Sequence, residues 1–206
     1  MYARSTTVMA RPELIDDGIA FVDDEVMPMI MELDGCIGLS MIVDRRSGRC
    51  IATSAWRDLD TMRATESLLT PMRDRAAMAM GGEPMVEEWE IAALHRAHRS
   101  NEGACVRVSW MQMERAHVDH AVDIHRMHTL AAMDDVDGFC SASLFIDRNR
   151  GMVCWSATYT SMHTMERGRE RESGLLDALA RETGATVTDV CEFELALAHL
   201  HVPEMA

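Results

Sequence analysis

Four histidines fall within twelve residues, in the stretch HVDHAVDIHRMH from His117 to His128. Imidazole exchanges protons near neutral pH and is the commonest neutral metal ligand. The stretch therefore raises acid–base, metal and haem chemistry together. Wound as a helix, His117, His120, His125 and His128 lie within roughly 140° of arc. Val118, Ala121, Val122, Ile124 and Ala131 share that side, while Arg115, Asp119, Asp123 and Arg126 gather opposite. From His117 to His128 is roughly 16 Å along a helix axis, and a zinc ion holds each ligand nitrogen at about 2 Å. One ion cannot touch all four. The six cysteines form no C-x-x-C, so the expected metal set is none.

Other residue types invite chemistry too. Arg107 could hold a carboxylate or enolate by bidentate contact. Trp110 and Trp155 are flat surfaces on which an aromatic substrate could stack. Arg4 occupies the place of Arg107 in the first half, and the acids Glu88, Glu90, Glu192 and Glu194 lie on nearby strands, so Arg–Glu pairs across strands are also expected. No G-x-G-x-x-G, P-loop, G-x-S-x-G or H-E-x-x-H occurs.

The elements that position these residues are written twice. DGCIGLSMIVDRRSGRCIATSAW begins at Asp34, and DGFCSASLFIDRNRGMVCWSATY begins at Asp137. At a constant offset of 103, Asp34-Gly35 meets Asp137-Gly138, Asp44-Arg45 meets Asp147-Arg148, Gly48 meets Gly151, Thr61-Met62 meets Thr164-Met165 and Arg4 meets Arg107. Each half reads as strand, helix (from Pro12 or Glu114), strand, tight turn, strand, helix (from about Asp58 or Ser161), strand. Pro28 is placed to end or kink the first helix. The pattern predicts an α+β fold of two ferredoxin-like βαββαβ repeats. One sheet face per repeat would be bare, and the strands are apolar at both parities, so the repeats are expected to pack sheet to sheet. The expected division is 1–95, a linker at 96–103, and 104–206.

Composition narrows the partners. The chain has 206 residues, an apolar fraction of 48% and a net charge of -14. Such acidity repels phosphate backbones and anionic lipid, so neither nucleic acid nor a membrane surface is an expected partner. No run approaches the roughly 18 apolar residues of a spanning helix and no signal segment is visible, which predicts a cytoplasmic protein.

The D-G, S, D-R-x-x-G pattern, the aromatic at Trp56 or Tyr159, and the E-W-E or E-F-E strand resemble the antibiotic-biosynthesis monooxygenase (ABM) group of the dimeric α+β barrel superfamily. The resemblance covers both halves. It implies an intramolecular pseudo-dimer, with further homo-oligomerisation left open, and a small-molecule pocket between the sheet and helices of a half. Such proteins include cofactor-independent oxygenases of aromatic polyketides and haem degraders. The haem degraders resembled use a first-strand Asn and a second-helix Trp, which both halves lack. The leading expectation is a cofactor-free monooxygenase acting on an aromatic or polyketide-like substrate. Its pocket is expected in the second half, with His117 and His125 as catalytic residues and Arg107, Trp110 and Trp155 against substrate. The half-one counterparts of His117 and His125 are the apolar Leu14 and Val22, so both histidines are expected to point inward. The second reading is a non-catalytic binding module, and the third is a haem-binding protein.

Overall fold

The computed structural model describes residues 1–200, with Leu200 described by its backbone alone. In the first half, β1 (Tyr2–Met9) leads into a helical run of α1 (Ile15–Phe21), a π-helical turn (Val22–Val26) and α2 (Met27–Met31). Strands β2 (Cys36–Asp44) and β3 (Arg49–Trp56) form a hairpin, then come α3 (Leu59–Ala64), α4 (Glu66–Ala79) and β4 (Pro84–Arg96). The second half follows the same order: β5 (Cys105–Gln112), α5 (Val118–Ile124), a π-helical turn (His125–Thr129), α6 (Leu130–Asp134), β6 (Phe139–Asp147), β7 (Met152–Tyr159), α7 (Met162–Thr183) and β8 (Thr186–Leu200). The eight strands close an antiparallel barrel in the order β1-β3-β2-β8-β5-β7-β6-β4. The fold is α+β, as the element order predicts.

Two compact units result. One holds Met1–Trp89 together with β8 from Phe193 onward, and the other holds Glu90–Glu192. Each unit has its own core. In the first, Ile15, Val22, Met41, Trp56 and Leu69 pack together. In the second, Val118, Met133, Leu144, Trp155 and Tyr159 do so.

The offset of 103 persists in the strand register. Ala52 lies opposite Thr6 and Met41, and Trp155 lies opposite Ser109 and Leu144. The D-R-x-x-G pattern that marks both halves is structural. Asp44 Oδ1 accepts from Arg46 N at 3.0 Å, and Asp147 Oδ1 accepts from Asn149 N at 2.9 Å. Gly48 and Gly151 close these turns at φ +81° and +67°, and a Cβ on either would meet a backbone oxygen at 2.2 Å. Arg45 then bonds Asp16 and Glu194, each at 2.8 Å, and Arg148 pairs in the same way with Asp119 and Glu90. The turn arginines thus tie hairpin to helix and last strand.

Pro28 does not end the first helix. It is the second residue of α2, directly after the π-helical turn. A π-helical turn at the matching place in the second half contains no proline. Proline is therefore not what produces the turn, and such turns are frequent where a helix lines a functional site.

Candidate ligand site

The helix-facing side of the sheet differs between the units, and the difference starts on one strand position. In the second unit, Trp155 of β7 is fully buried beneath α7. Its Nε1 donates to Glu172 Oε1 at 3.0 Å. Tyr159, four residues along the same strand face, donates its hydroxyl to Glu172 Oε2 at 2.6 Å. Arg107 of β5 donates through Nη1 to the same oxygen at 3.1 Å. The remaining donors of Arg107 are also used: Nε and Nη2 reach Glu192 Oε1 at 3.2 and 2.6 Å, and Nη2 reaches Met165 O at 3.4 Å. Burial pushes the Glu172 carboxyl up, and these donors hold back part of that rise. Between sheet and helices in this unit lie the buried side chains of Trp155, Tyr159, Glu172 and Arg107.

His125 packs against this group. It is 1% exposed, and its ring meets the Trp155 indole edge-on with centroids 4.0 Å apart. Burial pushes its imidazole down to about 3, so it is neutral at physiological pH. Its Nε2 has no hydrogen-bond partner among the described residues. In an unfolded chain the same group titrates near 6.5. The stability that goes with keeping His125 neutral is therefore present above pH 6.5 and is lost as pH falls toward 3. From pH 7.5 to pH 5, wild type should lose about 2 kcal/mol more unfolding free energy than His125→Leu. Urea unfolding of both proteins at the two pH values measures this, and parallel losses would refute it.

The structure brings together three of the five residues singled out in the sequence: Arg107 and Trp155, joined through Glu172, and His125 against the Trp155 ring. The other two lie elsewhere. Trp110 has the opposite parity to Arg107 on β5, and side chains alternate along a strand, so it lies on the other sheet face. His117 does not point inward. It is exposed, and its Nδ1 bonds the carbonyl of Thr183, the last residue of α7, at 2.8 Å. It serves as a helix C-terminal partner, a common use for histidine.

In the first unit the same gap contains a cavity. It has about 640 Å³ of empty space, counted out through its mouth to solvent. Residue exchange at three positions distinguishes it from the second unit, two of the exchanges to smaller side chains. The place of Trp155 is taken by Ala52, that of His125 by Val22, and that of Glu172 by Leu69, each at 103 residues' remove. All three replacements line the cavity. The walls are mostly apolar, and Val22 and Val26 come from the π-helical turn. Cys50 also lines it, with a thiol pushed up to about 11 by burial, so it is not a thiolate nucleophile at neutral pH.

Arg4 is the most deeply buried cation of this cavity, whose polar lining also includes Thr6, Ser54 and Arg73. It lines the space while being only 2% exposed. Its Nη2 bonds Glu66 Oε2 at 2.9 Å and Glu88 Oε1 at 3.0 Å. Its Nε and Nη1 are buried with no partner among the described residues. Nη1 is the atom that in Arg107 meets Glu172, and the leucine at position 69 removes that acceptor. Both acids around Arg4 are shared with other cations. Arg73 and Arg4 hold the Glu66 carboxyl below the usual range. Burial acts against Glu88, but Arg4 and Arg63 outweigh it and hold that carboxyl down too. The expected Arg–Glu strand pairs therefore form in both units, as Arg4–Glu88 and Arg107–Glu192.

Sequence reasoning missed Arg4 as a pocket donor and Glu172 as the hub of the filled site. A signal existed. An acid at 172 opposite a leucine at 69, on the helix that follows the matching Thr61-Met62 and Thr164-Met165, is a discordant pair at the offset of 103.

The fold resembles several solved structures at identities that speak for fold alone. An anthrone oxidase-like protein matches at TM-score 0.66 and 11% identity, covering 100% of this chain and 95% of that one. A ferredoxin-fold protein of Listeria monocytogenes related to antibiotic biosynthesis monooxygenases matches at TM-score 0.57 and 8% identity, covering 95% and 94%. A haem-degrading enzyme of Listeria monocytogenes matches at TM-score 0.55 and 6% identity, covering 95% and 99%. The chain thus shares the α+β barrel fold of these neighbours. No family profile matches the sequence. The chain belongs to the family of two uncharacterized proteins of Mycobacterium tuberculosis. Rv2557 is 53% identical over 205 residues, covering 100% of this chain and 92% of that protein. Rv2558 is 50% identical over 208 residues, covering 100% and 87%. Among the described residues, no helix is long and apolar enough to cross a membrane.

Proposed function

We propose that this chain is a small-molecule protein of the ABM-like type whose ligand occupies the cavity of the first unit, and that its reaction is cofactor-free oxygenation of an aromatic substrate. One observation carries the placement: an arginine that lines an apolar cavity is buried with two of its nitrogens, Nε and Nη1, lacking a partner among the described residues. An unpaired buried donor costs roughly 1–3 kcal/mol, more when charged, and a ligand oxygen on Arg4 removes that penalty. The reaction class rests on the neighbours' fold together with this cation. Oxygenation of a ring methylene converts CH2 and O2 to C=O and H2O, with the substrate as reductant. Arg4 would stabilise the enolate oxygen from which the electrons leave.

The lining also favours a second reading, binding without catalysis. Cys50 stays a thiol, and Glu66 and Glu88 are ion-paired and weakly basic. A substrate acidic enough to enter ionised needs no base, and one that is not would be held without reacting. Anthrone is a suitable probe. We expect saturable binding to wild type by calorimetry, with matched oxygen uptake in an electrode cell. Ala52→Trp, which places in the cavity the side chain found at position 155, should abolish both. Binding without oxygen uptake selects the second reading. Unchanged binding by Ala52→Trp would show that the site is elsewhere.

A further inference from the structure

We infer that the ligand of the first-unit cavity is a flat aromatic acid whose anionic oxygen takes, on Arg4, the place that the Glu172 carboxylate takes on Arg107. This rests on the cavity being the ligand site and adds the ligand's charge and shape.

The second unit shows what the first one lacks. There a bicyclic indole and a carboxylate lie in direct contact, Trp155 Nε1 to Glu172 Oε1 at 3.0 Å, and the carboxylate continues to Arg107 Nη1 at 3.1 Å. The first unit has the arginine, but Ala52 replaces the indole and Leu69 replaces the carboxylate. The volume vacated at position 52 is that of a fused ring, and Leu69 removes the acceptor beside it without opening further space. Val22 in place of His125 widens the ring end.

Charge leads to the same conclusion. The ion-pair cluster of the second unit, which runs from the buried Arg107 and Glu172 to the exposed Arg169, pairs two arginines with two acids, Glu172 and Glu192, so 2 − 2 leaves no charge. The corresponding network of the first unit pairs three arginines, Arg4, Arg63 and Arg73, with two acids, Glu66 and Glu88, so 3 − 2 leaves one positive charge. One negative charge on the ligand balances it. A ligand with no acceptor for Arg4 Nη1 would leave that buried N–H unpaired, while the guanidinium keeps its two ion pairs through Nη2.

Two probes of matched shape test this: 2-naphthoate and 2-naphthalenemethanol, titrated into the full chain by calorimetry. The acid should bind about tenfold or more tightly than the alcohol. That preference should vanish in Arg4→Met. It should also vanish in Leu69→Glu, where the protein supplies its own carboxylate, and this variant keeps Arg4 in place should Arg4→Met fold poorly. Equal binding of acid and alcohol overturns the inference and leaves the cavity as the ligand site. Binding of neither probe, with wild type and Ala52→Trp indistinguishable, overturns both. A preference for the acid that survives both variants also overturns it, since the anion would then be read elsewhere.

Discussion

Arg107→Met should lower unfolding free energy by about 3–5 kcal/mol, and Arg4→Met by about 1 kcal/mol or less. The two arginines occupy matching positions on β5 and β1 and are almost equally buried, at 3% and 2% exposure. Their surroundings differ. Removing Arg107 strands Glu172, which is 1% exposed and keeps only Trp155 and Tyr159 as donors. An unpaired buried carboxylate is among the most destabilising groups a core can hold. Removing Arg4 strands nothing comparable, because Glu66 keeps Arg73, Glu88 keeps Arg63, and both acids reach solvent. It also eliminates the orphaned Nε and Nη1 groups. Denaturant unfolding of both variants beside wild type measures the asymmetry. Equal losses would mean that the two arginines play the same structural part, and the functional distinction between the units would fall.

Trp155→Ala should cost about 3–5 kcal/mol, through lost burial and the cavity left behind. The indole is fully buried, touches His125 edge-on and donates to Glu172. The variant recreates in the second unit the residue that the first unit has at position 52. Free indole should therefore bind the new space and restore part of the lost stability, in proportion to its concentration. Thermal melts with and without millimolar indole read this out. A loss below about 1 kcal/mol, or no response to indole, would show that the site collapses once the ring is gone.

The order of elements was readable because their signals are local. The D-R-x-x-G turns, Pro12 at the start of the first helical run and the alternating strands each encode their own geometry. The constant offset then indicated that both halves share it. Positions within the site were less legible. The inward or outward direction of His117 depends on the first turn after β5 being a 3-10 turn rather than regular α-helix, which carries the side chain to the end of α7. Trp110 was misplaced beside Arg107, although strand parity alone separates an even from an odd position. The cavity was assigned to the half rich in functional-looking residues. In the second unit those residues pack against one another, and the cavity of the first unit is lined by the smaller Ala52 and Val22 in their stead.

The central claim is that the first unit holds a ligand where the second holds its own side chains. A crystal structure of the chain with 2-naphthoate tests it most directly. The account predicts one ring system over Ala52, with a carboxylate oxygen within hydrogen-bond distance of Arg4 Nη1 and the Arg107–Glu172 cluster undisturbed. Density for the ring beneath α7 in the second unit, or in neither unit at saturating concentration, would contradict it.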